Sequence, residues 1–136
     1  MLAQVIAAGV AFTCTPVAVW DGDGPIWCME GPKIRIAGVA AREMDGTCRS
    51  GQPCPAVGAV DARNRLVAIF GGARGTLAQG HIRVRSAPMR CISEGSAGGS
   101  RTAAWCSSPS VGDLSCSVVS AGGAVNWARY WRDHRC

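Results

Sequence analysis

Short runs of alternating apolar and polar residues fill the first third of the chain. Three such runs, each six to nine residues long, are separated by turn-forming Gly, Pro and Asp: FTCTPVAVW (12–20), PIWCME (25–30) and KIRIAGV (33–39). A period of two over short, β-rich runs with Gly and Pro between them is typical of strands joined by tight turns. We therefore predict a three-stranded antiparallel meander over residues 12–39.

The middle of the chain changes to a helical period. After a polar loop over residues 40–55, the apolar positions of residues 56–70 fall close to one helical face, and Gly71-Gly72 provides the stop. These positions are Ala56, Ala59, Val60, Leu66, Val67 and Phe70. Arg63 also falls within this face.

The last third predicts one alternating run, the two strands of a hairpin and a second helix. HIRVR (81–85) alternates like a strand, and MRC (89–91) with RTAAWC (101–106) predicts a hairpin around a Gly/Ser-rich tip. Asp113 is placed to cap a helix that reaches about Ala121, and an aromatic, basic tail follows. This order predicts a mainly β protein, a five-stranded OB-fold-like barrel with two or three flanking α-helices. A β-sandwich needs more strands than the pattern supplies.

The length of 136 residues suits one domain, which we place at residues 12–136. The apolar stretch 2–12 is too short to span a bilayer and lacks a basic leading region, although Gly9-Val10-Ala11 resembles a small-residue cleavage site. Residues 1–11 are therefore either an export signal or an apolar N-terminal tail, and no membrane span is expected.

Eight cysteines in a chain of this length favour disulfides and an oxidising compartment, either periplasmic or extracellular. Zinc is disfavoured because no C-x-x-C pair occurs and His81 and His134 stand apart from any cysteine cluster. Pairing of neighbours in sequence would close four local loops: Cys14 with Cys28, Cys48 with Cys54, Cys91 with Cys106, and Cys116 with Cys136. Eight cysteines allow about 105 pairings, so the sequence leaves the connectivity open.

The basic residues are nearly all arginine. Fourteen Lys and Arg against nine Asp and Glu give a net charge of +5, and Lys33 is the one lysine. Arginine suits forked hydrogen bonding to phosphate, and the net charge is compatible with an anionic partner. Codon usage in a GC-rich genome explains the same bias equally well.

Several polar residues near the predicted sheet form a set with a chemical use. Asp21 and Asp23 share a glycine turn, where two carboxylates can approach a hard cation, although Asp-Gly is also ordinary turn chemistry. Arg35 lies in an otherwise apolar strand, Glu43 follows that strand, and Arg101 opens the return strand of the hairpin. Guanidinium groups, a carboxylate and a metal ion are the components of phosphodiester hydrolysis.

Four motifs, in order, resemble the thermonuclease, or staphylococcal-nuclease-like, family. DGDG resembles its D-G-D-T turn, and IRIAGVAARE its I-R-L-x-G-I-D-A-P-E strand. GGSRTAAWC resembles its Y-G-R-x-x-A hairpin, and GDLSCSVVSAGGAVNW its D-L-x-x-x-L-V-x-x-G-x-A segment. The similarity runs from about Cys14 to Tyr130. It implies that Asp23 is a calcium ligand, that Arg35 and Arg101 bind phosphate, and that Glu43 orients or deprotonates the attacking water.

The chain also departs from that family. Ala40 stands where the family has a second metal-binding aspartate, and Arg42 stands where it has a proline. Gly24 replaces the threonine of the turn, and Ser100 replaces the tyrosine that the family has before the hairpin arginine. The Ala41 backbone carbonyl and Asp21 remain as candidate metal ligands. We expect Ca²⁺ to bind weakly, or another divalent cation to take its place.

The resemblance thus implies an exported, monomeric phosphodiesterase that cleaves DNA and RNA with metal assistance and little sequence preference. Two alternatives stay open: a catalytically inactive OB-fold module that binds nucleic acid, and a small disulfide scaffold. The tryptophans show no surface row in the sequence, so we expect most of them to serve core or hairpin packing.

Overall fold

The computed structural model describes residues 3–136, which form a mainly β protein with three helices. The strands are β1 (Ala11–Cys14), β2 (Pro16–Asp21), β3 (Gly24–Cys28), β4 (Lys33–Ile36), β5 (Val39–Ala40), β6 (Gly75–Thr76), β7 (Ile82–Arg83), β8 (Met89–Ser96), β9 (Arg101–Ser108), β10 (Gly112–Asp113) and β11 (Val125–Asn126). The helices are α1 (Ala59–Ile69), α2 (Leu114–Ser120) and α3 (Ala128–Trp131).

The main sheet is an open path of strands in the order β1-β8-β9-β4-β3-β2-β7-β6, with β10 paired to β9. The prediction of a closed five-stranded barrel is therefore not met. The two edges of β2 are used by β3 and β7, so β8 pairs with β1 instead. Only Thr15 separates β1 from β2 in the chain.

The predicted meander is present, because β2, β3 and β4 pair antiparallel in sequence order. Its third strand is shorter than predicted and ends at Ile36. Gly38 adopts a positive φ of 76°, and a Cβ there would lie 2.5 Å from the Trp105 ring, so the chain turns where the ring approaches. Val39 and Ala40 then form β5, which pairs with β11 in a separate two-stranded sheet.

The predicted hairpin of β8 and β9 is also present, with a bulge between Ser93 and Gly95. β9 runs parallel to β4, with Arg35 opposite Ala103 and Lys33 opposite Arg101. This parallel pairing places the hairpin beside the meander, a relation that local sequence patterns do not reveal.

Helix α1 covers one face of the sheet and begins later than the predicted residue 56. Its buried positions, Ala59, Ala62, Leu66 and Val67, continue into buried Phe70, as the apolar face predicts. Val60 is 49% exposed, contrary to the prediction, because it lies about 100° around the helix from Ala59. The core beneath α1 contains mainly aliphatic strand residues: Val19, Ile26, Ile34, Ile36 and Val39.

Helix α2 begins as predicted, with the Asp113 carboxylate accepting a hydrogen bond of 3.0 Å from the backbone N–H of Cys116. The last residue of the helix is Ser120, with Ala121 as its C-cap. The apolar segment before β1 packs against the hairpin: Ile6 N–H donates to Thr102 Oγ1, and Gly9 N–H donates to the Ser93 carbonyl.

Four disulfides join the pairs expected from the sequence: Cys14–Cys28, Cys48–Cys54, Cys91–Cys106 and Cys116–Cys136. Each closes a short segment, with sequence separations from 6 to 20 residues. In residues 3–136 we find no helix with the length and apolar character needed to cross a bilayer.

Candidate functional site

A cleft of about 580 Å³ opens beside the β2–β3 turn and the beginning of β9. Five of the six predicted catalytic and metal-binding residues line it: Asp21, Asp23, Arg35, Glu43 and Arg101. The sixth, Ala41, is buried behind this wall at 1% exposure. Residues far apart in the sequence thus meet in one place.

The two aspartates are brought into the cleft by the tight turn between β2 and β3. The Asp21 carboxylate accepts a hydrogen bond of 3.2 Å from the Asp23 backbone N–H, which fixes the turn. Gly22 lies against α1, where a Cβ would come within 2.7 Å of the Ala62 methyl group. The glycine between the two aspartates therefore lets the turn sit directly on the helix.

Asp23 and Arg35 form an ion pair at the base of the cleft. The Arg35 Nη2 lies 3.2 Å from Asp23 Oδ2, and the two side chains are only 16% and 9% exposed. The same carboxylate oxygen accepts a bond of 3.2 Å from the Ala41 backbone N–H. The guanidinium also lies 5.8 Å from the centre of the Trp127 ring, so Arg35 is held between a carboxylate and an aromatic face.

Within residues 3–136 Asp21 forms no such ion pair, and its environment disfavours a second negative charge. Burial raises the pKa of the Asp21 carboxyl to about 9, and the neighbouring Asp23 adds to the shift through its charge and a side-chain hydrogen bond. At neutral pH the pair therefore carries one negative charge, unless a further cation enters and allows both carboxylates to ionise.

The cation-binding capacity of the site is incomplete. Two buried carboxylates short of positive charge fit a hard divalent ion. However, the Ala41 carbonyl already accepts a 2.8 Å hydrogen bond from Gln52 Nε2. Ala40 is fully buried in β5 opposite Val125 and supplies no carboxylate.

Glu43 lies in the loop after β5, where it is closer to solvent than the aspartates. Its Oε1 is 3.2 Å from Nε of Arg49, whose side chain is 56% exposed. The loop is fixed by the Cys48–Cys54 disulfide and by Arg42 Nε, which donates to the Pro55 carbonyl at 2.7 Å. The Glu43 carboxylate is thus held at the cleft wall by a partner that can move.

Arg101 begins β9 at the tip of the hairpin. Its Nη2 donates to the Ala97 carbonyl at 3.0 Å, and its Nε donates to the Gly98 carbonyl. No carboxylate within residues 3–136 forms a salt bridge with it. Arg101 therefore presents an uncompensated positive charge to the cleft.

Three aromatic residues of the cleft were not expected there: Trp20, Trp127 and Tyr130. The prediction that the tryptophans serve packing holds for Trp105 and Trp131, which contact each other edge to face. For Trp20, one signal was available, because alternation along β2 places it on the opposite face from buried Val19. For Trp127 and Tyr130 no local signal existed, since the β5–β11 pairing brings the tail to the cleft.

Another polar cluster connects the start of α2 with the C-terminal tail. Asp113, Cys116 and His134 place one potential ligand atom each within 4.8 Å of one another. The Cys116 sulfur is bonded to Cys136 and offers no thiolate, so zinc coordination of the usual kind is not available. His134 Nε2 instead lies 2.7 Å from Asp113 Oδ2, and its ring stacks on Trp105 at 3.9 Å. His134, which the sequence placed apart from the cysteines, thus helps to fasten the tail.

Comparison with known proteins gave no match: neither the family models, nor the curated proteins, nor the solved structures contain one that is significantly similar to this chain.

Proposed function

We propose that the protein hydrolyses phosphodiester bonds of DNA and RNA at this cleft. The observation that carries the proposal is the convergence of two arginines, a solvent-facing glutamate and two buried aspartates on one cavity. That combination can neutralise a phosphate, activate water and hold a cation. The resemblance of the sequence motifs to thermonucleases agrees with this function.

Each side chain has one role in the proposed hydrolysis. Arg35 and Arg101 donate hydrogen bonds to the non-bridging phosphate oxygens, where negative charge grows as water attacks the phosphorus. Glu43 orients that water and accepts its proton. Removal of one preorganised donor of this kind costs roughly 10²- to 10³-fold in rate, so both arginines are expected to affect turnover more than affinity.

A divalent cation would be held by Asp21, Asp23 and the Ala41 carbonyl. When bound, it would polarise the phosphate and lower the pKa of a nearby water. Calcium affinity falls as charged ligands are lost, and Ala40 supplies none. We therefore expect activity to require millimolar calcium or a different divalent ion.

The connection from β1 to β2 supports an OB-type arrangement. β1 pairs with β8, at one end of the path β8-β9-β4-β3, and β2 pairs with β3, at the other end. A single residue joins β1 to β2, so this continuous segment of the chain contacts both ends of the path. The four disulfides are typical of proteins in oxidising compartments, which supports a periplasmic or secreted location.

Incubation of the purified, oxidised protein with supercoiled plasmid and with RNA tests the proposal. We expect cleavage with millimolar calcium, manganese or magnesium and none with EDTA. Arg35→Lys should lose nearly as much activity as Arg35→Ala, because an ammonium cannot make the forked contact. Glu43→Gln should be similarly impaired. Arg90→Gln, an exposed change outside the cleft, is the control. Full activity of Arg35→Lys would contradict the assigned site.

One observation favours a second function, nucleic-acid binding without hydrolysis. The Asp23 carboxylate and the Ala41 carbonyl are both engaged by protein donors, while Trp20, Trp127 and Tyr130 offer aromatic faces. Aromatic faces beside arginines are the usual means of holding single strands. Oligonucleotide binding that is retained in EDTA, with no cleavage under any divalent ion, would favour this alternative.

A further inference from the structure

A line of basic and aromatic residues crosses the sheet and ends in the cleft. Directly paired residues on β7, β2, β3, β4 and β9 are Arg83, Ala18, Trp27, Lys33 and Arg101, in that order. Directly paired residues have side chains on the same face of a sheet. We call these five residues the basic stripe.

The basic stripe lies on the face that turns away from the core. The next row of paired residues on β2, β3 and β4 contains buried Val19, Ile26 and Ile34, whose side chains point the other way. Within the stripe, Arg83 is exposed, and Trp27, Lys33 and Arg101 are partly exposed. Ala18, between Arg83 and Trp27, is covered at 1% exposure. Five strands about 4.8 Å apart make the stripe about 19 Å long.

The positive charge of the stripe is not neutralised by salt bridges in the described part of the chain. Within residues 3–136, none of Lys33, Arg83 and Arg101 forms a salt bridge. The Lys33 ammonium lies 5.0 Å from the centre of the Trp27 ring, and His81 packs on the same indole at 4.2 Å between ring centres. His81 also contacts Trp20, which lines the cleft. An aromatic path therefore accompanies the charges up to the cleft.

We propose that the basic stripe is an outer track for single-stranded nucleic acid, which continues the strand held at the cleft. Lys33 and Arg83 bind phosphates, and a base stacks on Trp27 when the Lys33 ammonium moves from the ring to a phosphate. The proposal rests on the proposed function only in that the cleft also binds nucleic acid; it does not require hydrolysis.

Three chemical features favour this occupant. The cations are spaced along a line, as a polyanion requires, and are not gathered around one point. An indole between them suits an unpaired base, since stacking on aromatic side chains accepts any base. The line also ends at Arg101, so one continuous strand can occupy the stripe and the cleft together.

The test measures fluorescence anisotropy of labelled oligonucleotides with the Glu43→Gln protein in EDTA, so that the ligand stays intact. The probes are a 12-nucleotide oligo-dT, a 12-nucleotide oligo-rU, a 3-nucleotide oligo-dT and a 12-base-pair duplex. Lys33→Gln, Arg83→Gln and Trp27→Leu are each introduced alone into this Glu43→Gln protein. Arg90→Gln on β8, introduced in the same way, is the control for loss of one positive charge.

We expect Lys33→Gln and Arg83→Gln each to weaken binding of the 12-nucleotide probes. Each variant should also make the plot of log affinity against log salt less steep by about 0.7, the value for one phosphate contact on a single strand. Trp27→Leu should weaken the same binding about tenfold at unchanged salt slope. Binding of the 3-nucleotide probe should stay within about twofold, and Arg90→Gln should change neither quantity.

The proposal is overturned if Lys33→Gln and Arg83→Gln act no differently from Arg90→Gln, or if they weaken the short and long probes equally. Equal affinity for duplex and single strand would remove the role of Trp27. Altered binding by these surface variants in a protein that cleaves nothing would support the track and reject the hydrolase. Plasmid cleavage together with unaltered binding of the 12-nucleotide probes would support the hydrolase and reject the track.

Discussion

At the scale of single residues, the cleft contains more buried acid than buried base. Asp21 is 3% and Asp23 6% exposed, and Arg35 pairs with only one of them. Burial is the main cause of the raised pKa of Asp21, and the charge of the neighbouring Asp23 adds to it. A cation bound beside the two aspartates would therefore stabilise the ionised form of both carboxylates.

We predict that Asp21→Asn stabilises the protein at neutral pH in EDTA. The pKa of Asp21 is about 9 when folded and near its model-peptide value of 3.8 when unfolded, so the folded state binds more protons between these pH values. Stability is therefore highest below the unfolded pKa and falls as pH rises through this window. The amide cannot ionise and escapes this loss.

Urea denaturation from pH 5 to pH 8 measures the effect. The advantage of Asp21→Asn over wild type should grow with pH, by at most about 1.4 kcal/mol per pH unit, because that free energy corresponds to one unit of pKa shift. Asp45→Asn is the control: the hydrogen bonds from Thr47 lower the pKa of Asp45, so that carboxylate stays ionised throughout. Millimolar calcium should reduce the advantage. Parallel pH curves for wild type and Asp21→Asn would contradict the assigned charge state.

At the scale of elements, the Asp113 carboxylate serves two segments at once. One oxygen caps α2 by accepting from Cys116 N–H, and the other lies 2.7 Å from His134 in the tail. Since α2 has only seven residues, its own hydrogen bonds hold it weakly and the cap matters.

We predict that Asp113→Ala lowers the free energy of unfolding by about 1–2 kcal/mol, through loss of the cap and of the His134 contact. Asp113→Asn should lose less, because Asn is an equally good N-cap. Urea denaturation of the oxidised proteins measures both. Asp61→Asn, in the first turn of α1, serves as a control for loss of one carboxylate near a helix N-terminus. Equal losses for the Ala and Asn variants would show that the cap contributes nothing.

At the scale of the whole molecule, the cleft is built from segments that are far apart in the sequence and that the sheet and the disulfides help to hold together. Its walls come from the β2–β3 turn, the loop closed by Cys48–Cys54, the β8–β9 hairpin and the C-terminal tail. The tail carries Trp127, Tyr130 and Arg132, and the Cys116–Cys136 bond ties it to α2.

We predict that the double variant Cys116→Ser/Cys136→Ser loosens this wall before it unfolds the sheet. A bond closing a loop of this length stabilises by about 3 kcal/mol in the chain-entropy account. Hydrogen exchange should accelerate at the amides of residues 127–134 and stay slow in β8 and β9, and oligonucleotide affinity should fall. Uniform acceleration across the sheet would show instead that the bond supports the global fold.

Local sequence determined a large part of this protein. The period-two runs, the helical face of residues 59–70 and the Asp113 cap all depend on interactions within a few residues, so the meander, α1, α2 and the hairpin could be predicted. The eight cysteines indicated a disulfide-bonded fold. The four bonds found join cysteines that are consecutive in the sequence, as predicted.

Tertiary structure decided the rest, because it depends on pairings between residues far apart in the chain. The parallel contact of β4 with β9 brings Arg101 to Arg35, and the β5–β11 pair brings Trp127 over Arg35. The open strand path also depends on distant partners, because β7 pairs with the edge of β2 that β3 leaves free. The charge state of Asp21 likewise arises only when burial removes water from a turn that, in the isolated sequence, would be solvated.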